Sequence, residues 1–233
     1  MKLIFIRHGD PDYVHDSLTP RGRAEAAALH NRLAGWRGFE AAVSPLGRAQ
    51  ETARRALAGS GVTPETLPWL EEFRGRLPDG RICWDLLPAA YDADPLLRDP
   101  VRWPEAALYQ NTNVAAVHAE TKAGLYALLA RYGYRPRGSV FAAAPDARRD
   151  AVAVLFCHMA VSMECLAILL NQASPVVWHQ WFLPPASITV LGAEEREPGL
   201  VQWRMQAAGD VRHLWQAGLE PSPSGSFAPL FLG

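Results

Sequence analysis

The sequence predicts an α/β fold: a three-layer α/β/α sandwich on a central, mostly parallel sheet, with a helical and loop cap inserted into it. Three observations carry that expectation. Leu3-Ile4-Phe5-Ile6 and Ala151-Val-Ala-Val-Leu-Phe-Cys157 are apolar throughout, as strands buried on both faces are, and each run stops at a charged or titratable stretch. Strand-like and helix-like patterns alternate from Met1 to Ser60. From Arg74 to about Asn111, Pro, Asp, Arg and Trp interrupt every period, the texture of short helices and loops rather than of one long structureless loop.

In chain order, the first strand ends at Arg7-His8-Gly9. A loop comes next, and Thr19-Pro20 supplies an N-cap and a first-turn proline for a helix to about Ala34. Phe39 to Val43 reads as a second strand, Leu46 to Ala58 as a helix closed by Gly59-Ser60-Gly61, and Val62 to Leu67 as a third strand broken by Pro64. Asn113 to Tyr132 regains helical spacing. Ser139 to Ala144, a polar turn and Ala151 to Cys157 read as a hairpin. Ala160 to Leu170 and Val176 to Phe182 read as helices, Ser187 to Leu191 and Leu200 to Met205 as late strands, and Pro221 to Gly233 as a loose tail. Residues 1–233 are thus expected to form one domain, with 74–111 as its cap insertion.

Composition narrows the function classes. The chain is 49% hydrophobic and 20% charged, which excludes wholesale disorder, and its net charge of -1 provides no field to recruit nucleic acid or an anionic membrane. The apolar start is too short for a signal-peptide core, and no stretch approaches a membrane span. Cys83, Cys157 and Cys165 are odd in number and form no CxxC pair, which suits a reducing cytoplasm. A homodimer is compatible with the sequence, which does not specify it.

Two buried-looking strands ending in His8 and His158 place two imidazoles at the carboxyl edge of one sheet, where open α/β sheets collect ligands. Neutral His8 is able to attack phosphorus with a ring nitrogen, splitting one hard displacement into two easier ones. Arg7 and Arg48 offer planar forks for phosphate oxygens. The helix after His158 adds its positive end and the free amide of Met159. The missing proton donor is either Glu71 or Glu72, after the third strand. No Cys/His cluster suggests a metal, and the chemistry requires no cofactor.

These residues together resemble the histidine phosphatase superfamily, which includes the cofactor-dependent phosphoglycerate mutases. Arg7-His8-Gly9 matches its Arg-His-Gly signature, and Ser44 to Ala53 matches its Ser-x-Leu-x-Arg-x-x-Gln/Glu-Thr-Ala stretch at Arg48. Leu70-Glu71-Glu72 is similar to its Leu-x-Glu acid, which favours Glu72, and its second histidine falls on His158. The four landmarks keep the family's order over roughly Met1 to Thr189. The resemblance implies a metal-independent phosphomonoesterase acting through phosphohistidine on a small phosphorylated metabolite. Three departures stand out. Met159 replaces the usual glycine and is expected to narrow the phosphate pocket, Val14 stands near the place of a phosphate-holding Asn, and Arg74-Gly-Arg-Leu-Pro replaces the usual Gly-x-x-Glu-Gly.

Three rivals remain. Asp10-Pro11-Asp12-Tyr13-Val14 fits the Asp-x-Asp-x-Val pattern of magnesium-dependent, aspartate-nucleophile phosphatases, although there the first Asp directly follows the strand. A mutase-type phosphoryl transfer and a phosphate sensor without turnover are the others. Cys157 is expected to be a buried structural thiol, and His213 a surface or packing residue.

Overall fold

The computed structural model describes residues 1–231. In chain order the elements are β1 (Lys2–Arg7), β2 (Pro11–Asp12), β3 (Ser17–Leu18), α1 (Pro20–Leu33), β4 (Phe39–Val43), α2 (Gly47–Ala56), β5 (Glu65–Thr66) and α3 (Pro88–Ala93). Then come α4 (Val114–Arg131), β6 (Tyr134–Arg137), β7 (Val140–Ala143), β8 (Val152–Cys157), α5 (Met159–Leu170), α6 (Ser174–Gln180), β9 (Ile188–Glu197), β10 (Leu200–Asp210) and α7 (Arg212–Gln216).

Eight strands form one sheet in the order β5-β4-β8-β1-β9-β10-β7-β6. β5, β4, β8 and β1 are mutually parallel, and from β1 onward each pairing is antiparallel. Six of the eight strands therefore run one way, and only β9 and β7 oppose them. The apolar runs take the centre because only there are both faces covered. Leu3 and Phe5 of β1 join a core with α4 and α5, while Ile4 and Ile6 join a second core with α1 and α2.

Thr19 caps α1 by accepting from the Gly22 N–H at 3.1 Å. Gly9 is required by packing: a Cβ there would lie 2.6 Å from the Gly22 carbonyl oxygen, so the chain after β1 meets α1 backbone to backbone.

Three expectations need correction. β7 and β8 are not a hairpin, since β7 pairs with β6 and β10 near the sheet's far edge while β8 lies between β4 and β1. β8 is apolar on both faces and takes a central slot. β7, intermediate and buried by turns, pairs through the Gly138 turn with β6, which carries too many polar residues to read as a strand. The third strand shrinks to Glu65–Thr66, as Pro64 cannot donate to the ladder.

The segment from Pro221 is also not loose throughout. Pro221 and Ser222 are buried, and the Ser222 hydroxyl donates to Asp10 Oδ1 at 2.5 Å. The last two residues of the expected tail, 232 and 233, lie outside the described residues.

Residues 74–111 hold α3 and three single 3-10 turns, 95–98, 103–105 and 107–109. Leu97, Trp103, Ala106 and Tyr109 anchor them in the α4/α5 core. Among the described residues no helix is long and apolar enough to cross a membrane.

Candidate active site

The parallel pairing of β1 and β8 sets the site. Arg7 is in register with Cys157, and the His8 N–H donates to the Cys157 carbonyl at 2.9 Å. The histidines that end the two strands therefore leave the same sheet edge side by side, with ring centroids 5.0 Å apart. Both are buried, His8 at 1% exposure and His158 at 0%.

His8 Nδ1 lies 2.7 Å from the carbonyl oxygen of Gly9. A carbonyl only accepts, so Nδ1 carries the hydrogen, and in the neutral ring the Nε2 lone pair is left free. Burial, then the charge of Arg7, hold this imidazole well below its ordinary range. His158 is held down in the same way by burial, with His8 and the arginines adding to it. Its Nε2 pairs with the Ser44 hydroxyl at 2.8 Å, and its Nδ1 has no partner. The end of β4 brings Ser44 there, its N–H donating to the Phe156 carbonyl of β8 at 2.9 Å.

Arg7 and Arg48 are both buried. Arg7 Nη1 donates to the Leu183 carbonyl at 2.7 Å and to Met159 Sδ at 3.4 Å. Met159 thus spends its bulk packing against the guanidinium. Arg48 Nη1 donates to Asp16 Oδ1 at 2.5 Å, and its guanidinium carbon stands 5.4 Å from the centre of the Tyr13 ring. The Nε atoms of both arginines are buried without partners. Together with His158 Nδ1, three unpaired nitrogens collect in a group of residues already rich in positive charge. Buried polar groups are rarely left so.

Glu72, not Glu71, joins this group. Glu72 Oε1 accepts from the N–H groups of Phe73, Ala160 and Val161 at 3.1, 3.0 and 3.2 Å, tying the carboxyl to the first turn of α5. Burial raises its proton affinity above the usual carboxylate range, against the pull of Arg7 and of these amides. Glu71 faces Arg74 at 3.8 Å on the surface. The Met159 N–H donates to no described residue, whereas the next two amides are taken by Glu72.

Sequence reasoning missed four supporting residues. Thr52 Oγ1 accepts from the Gly9 N–H at 3.1 Å and donates to the Arg48 carbonyl at 2.8 Å, joining the loop after His8 to α2. Ser44 and Asp16 stood in plain view, but their partners come from distant segments. Glu25, inside α1, accepts from the Asp10 N–H at 2.7 Å; burial pushes its carboxyl up to about 7.

The native state therefore keeps the Glu25 proton to higher pH than the unfolded chain does. The associated stability is complete below about pH 4.5 and is lost as pH rises through about 7, on the order of 3 kcal/mol in all. Denaturant titrations at a series of pH values should show that decline in the natural chain and a flatter profile in Glu25→Gln. An unchanged slope would assign the decline to other groups.

The aspartate rival does not assemble. Asp10 is held by the hydroxyls of Thr19 and Ser222, and Asp12 turns outward to His15 and the backbone N–H groups of Val14 and His15. Cys157 is a buried thiol 3.1 Å from the Ser162 hydroxyl, pushed up to about 12 by burial. His213 is buried in α7, which packs on α1, and burial lowers it to about 4.

The site is covered. The backbone at Gly225 comes so close that a Cβ there would lie 3.3 Å from Arg7 Nη2 and from Met159 Cε. Gly225 also adopts φ +89°, a conformation that favours glycine.

Solved structures share this architecture. A mycobacterial glucosyl-3-phosphoglycerate phosphatase, solved with VO3, is 21% identical, with TM-score 0.61 over 90% of this chain and 99% of that one. A phosphoserine phosphatase from Entamoeba histolytica, solved with 3-phosphoglyceric acid, is 19% identical, with TM-score 0.59 over 91% and 98%. Bacillus stearothermophilus YhfR is 20% identical, with TM-score 0.61 over 91% and 98%. Among curated proteins none matches the sequence. The family model for the histidine phosphatase superfamily (branch 1) matches residues 3–133, more than half of the sequence and the part that carries His8, Arg48 and Glu72, and the chain belongs to that superfamily.

Proposed function

We propose that the protein is a metal-independent phosphomonoesterase that works through phospho-His8 on a small phosphorylated metabolite. The observation that carries this reading is the His8 ring: its Nδ1 is fixed on Gly9, its Nε2 is free, and Arg7, Arg48 and His158 surround it. Nε2 attacks phosphorus as the bond to the leaving oxygen breaks, and Glu72 gives that oxygen its proton. Water then attacks the phosphohistidine, Glu72 takes back a proton, and inorganic phosphate leaves with His8 restored. The arginine forks, His158 and the Met159 amide hold the phosphoryl oxygens. The structural neighbours named for glucosyl-3-phosphoglycerate and phosphoserine act on small phosphorylated metabolites, which supports that substrate class. Residues 74–111 act as the cap that selects the alcohol.

A screen of phosphorylated metabolites with purified protein, with and without a strong chelator, tests the reading. Phosphate release that survives chelation is expected. Release that stops on chelation and returns with magnesium would contradict it.

The cover over Arg7 has a kinetic consequence. Ending the chain after Glu220 removes the segment that bears Ser222 and Gly225, at the cost of one hydrogen bond to Asp10 and of the packing of buried Pro221 and Ser222. The Michaelis constant for a bulky aryl phosphate should fall by about threefold to tenfold, as expected when a closing segment limits entry. Steady-state kinetics of the shortened and full chains, compared at equal folded fraction, would show it, and identical constants would mean that the segment does not gate the site.

A further inference from the structure

We propose that Tyr13 is a further substrate-binding residue, whose phenol hydroxyl donates to a phosphoryl oxygen held by Arg7 and Arg48. This role rests on the phosphatase reading and adds one donor to its phosphate site.

Tyr13 is the first residue of the short connection between β2 and β3, whose last ladder pair is Asp12 with Ser17. Both ends of that connection are pinned. At one end Asp12 Oδ1 accepts from the N–H groups of Val14 and His15, at 3.1 and 3.3 Å. At the other, Asp16 Oδ1 accepts from Arg48 Nη1 and Asp16 Oδ2 from the Gly47 N–H, each at 2.5 Å. The connection is thereby fastened to the first turn of α2, and the Tyr13 ring lies on the Arg48 guanidinium, its centre 5.4 Å from the guanidinium carbon. Arg48 is buried, whereas Tyr13 is 64% exposed, so the ring roofs the arginine from the solvent side.

The phenol bears on Arg7 as well. Burial lowers the proton affinity of the Arg7 guanidinium, and among the groups that oppose this effect the Tyr13 phenol comes first. A guanidinium only donates, so the phenol turns its oxygen toward Arg7 and its hydrogen elsewhere. No described residue accepts that hydrogen.

The arginines leave room for it to act. Arg7 Nη1 is spent on Leu183 and Met159, and Arg48 Nη1 on Asp16, while Nη2 of each donates to no described residue. One side chain in contact with both guanidinium groups can complete the set of donors around a phosphoryl group, whose non-bridging oxygens have acceptor positions for all of them. Val14 cannot do this, being apolar and 87% exposed.

Tyr13→Phe is the test, because it keeps the ring on Arg48 and removes only the hydroxyl at an exposed position. Inorganic phosphate is the probe, titrated calorimetrically into the full-length protein. Its dissociation constant should rise about tenfold or more in Tyr13→Phe, the loss expected for a hydrogen bond to a charged group. The Michaelis constant for 4-nitrophenyl phosphate should rise with it, while turnover changes by less than about threefold. Val14→Ala, at the neighbouring exposed position, should leave phosphate affinity within about twofold. In protein labelled with fluorotyrosine, the resonance that Tyr13→Phe lacks should move saturably as phosphate is added.

Phosphate binding is read without turnover. A chain that binds phosphate through Tyr13 yet hydrolyses no ester would fail as a phosphatase and leave this role standing. Phosphate affinity in Tyr13→Phe within about twofold of the natural chain would overturn the role, as would a Tyr13 resonance that ignores saturating phosphate or a natural chain that binds no phosphate. An equal loss in Val14→Ala would also overturn it, because the shape of the loop and not the hydroxyl would then be responsible.

Discussion

His8→Ala should abolish hydrolysis of 4-nitrophenyl phosphate, a loss on the order of 10⁴-fold or more, because no other group offers an equivalent nucleophile. His158 is the nearest alternative, but its Nε2 is engaged by Ser44. Removing the His8 ring also leaves Arg7, Arg48 and the Met159 amide in place. The variant should thus still bind vanadate or phosphate, and loss of turnover with retained anion binding is the expected signature. A variant that keeps more than about a hundredth of the activity would place the nucleophile elsewhere. The same variant separates the sensor reading from the enzyme reading, because a binding module has no turnover to lose.

Glu72→Gln should have the second largest effect, and it should depend on the leaving group. An alkyl phosphate leaves as a strongly basic oxygen that needs a proton, so its turnover should fall about 10²- to 10⁴-fold. 4-Nitrophenyl phosphate leaves without one and should lose less than about tenfold. The amides of Phe73, Ala160 and Val161 hold Oε1, which leaves Oε2 to carry the proton.

The pH dependence has a definite sign. The Glu72 carboxyl is raised above its ordinary range, so it stays protonated to higher pH than a free carboxyl does. Alkyl-phosphate turnover should fall as pH rises through that value, and Glu72→Gln should flatten the fall. His8 is depressed well below its ordinary 6.5, so it stays neutral and nucleophilic on the acid side, and that limb of the profile should lie well below pH 6.5. Equal loss on both substrate types would remove Glu72 from the acid role.

How legible these features were in the sequence depends on the range of the interactions that make them. β1 and β8 were plain because a strand covered on both faces has to be apolar at every position. The bounds of β4 and the Thr19 cap of α1 come from residues within a few positions of one another. The nearness of His8 and His158 was legible for a related reason: two central strands of the same sense deliver their carboxyl-terminal residues to one edge.

Pairing partners were not legible in this way. Nothing within Val140 to Cys157 says that β7 prefers β6 and β10 to β8, because the ladder choice is made by strands far away in the chain. The groups that tune the site were hidden for the same reason. Asp16 reaches Arg48 from a loop residue at φ 45°, and Ser44 meets His158 across 114 positions. Ser222 meets Asp10 across 212 positions, so composition alone made an anchored segment look like a loose tail.

The proposed catalysis rests on one bond, between phosphorus and a ring nitrogen of His8. Rapid mixing with a labelled aryl phosphate, then an alkaline quench that preserves phosphohistidine and peptide mapping, looks for that bond directly. Label is expected on the peptide that contains His8, formed and consumed at rates that support turnover. Label on His158 or an aspartate, or full turnover with no labelled protein at any time, would contradict a phospho-His8 intermediate.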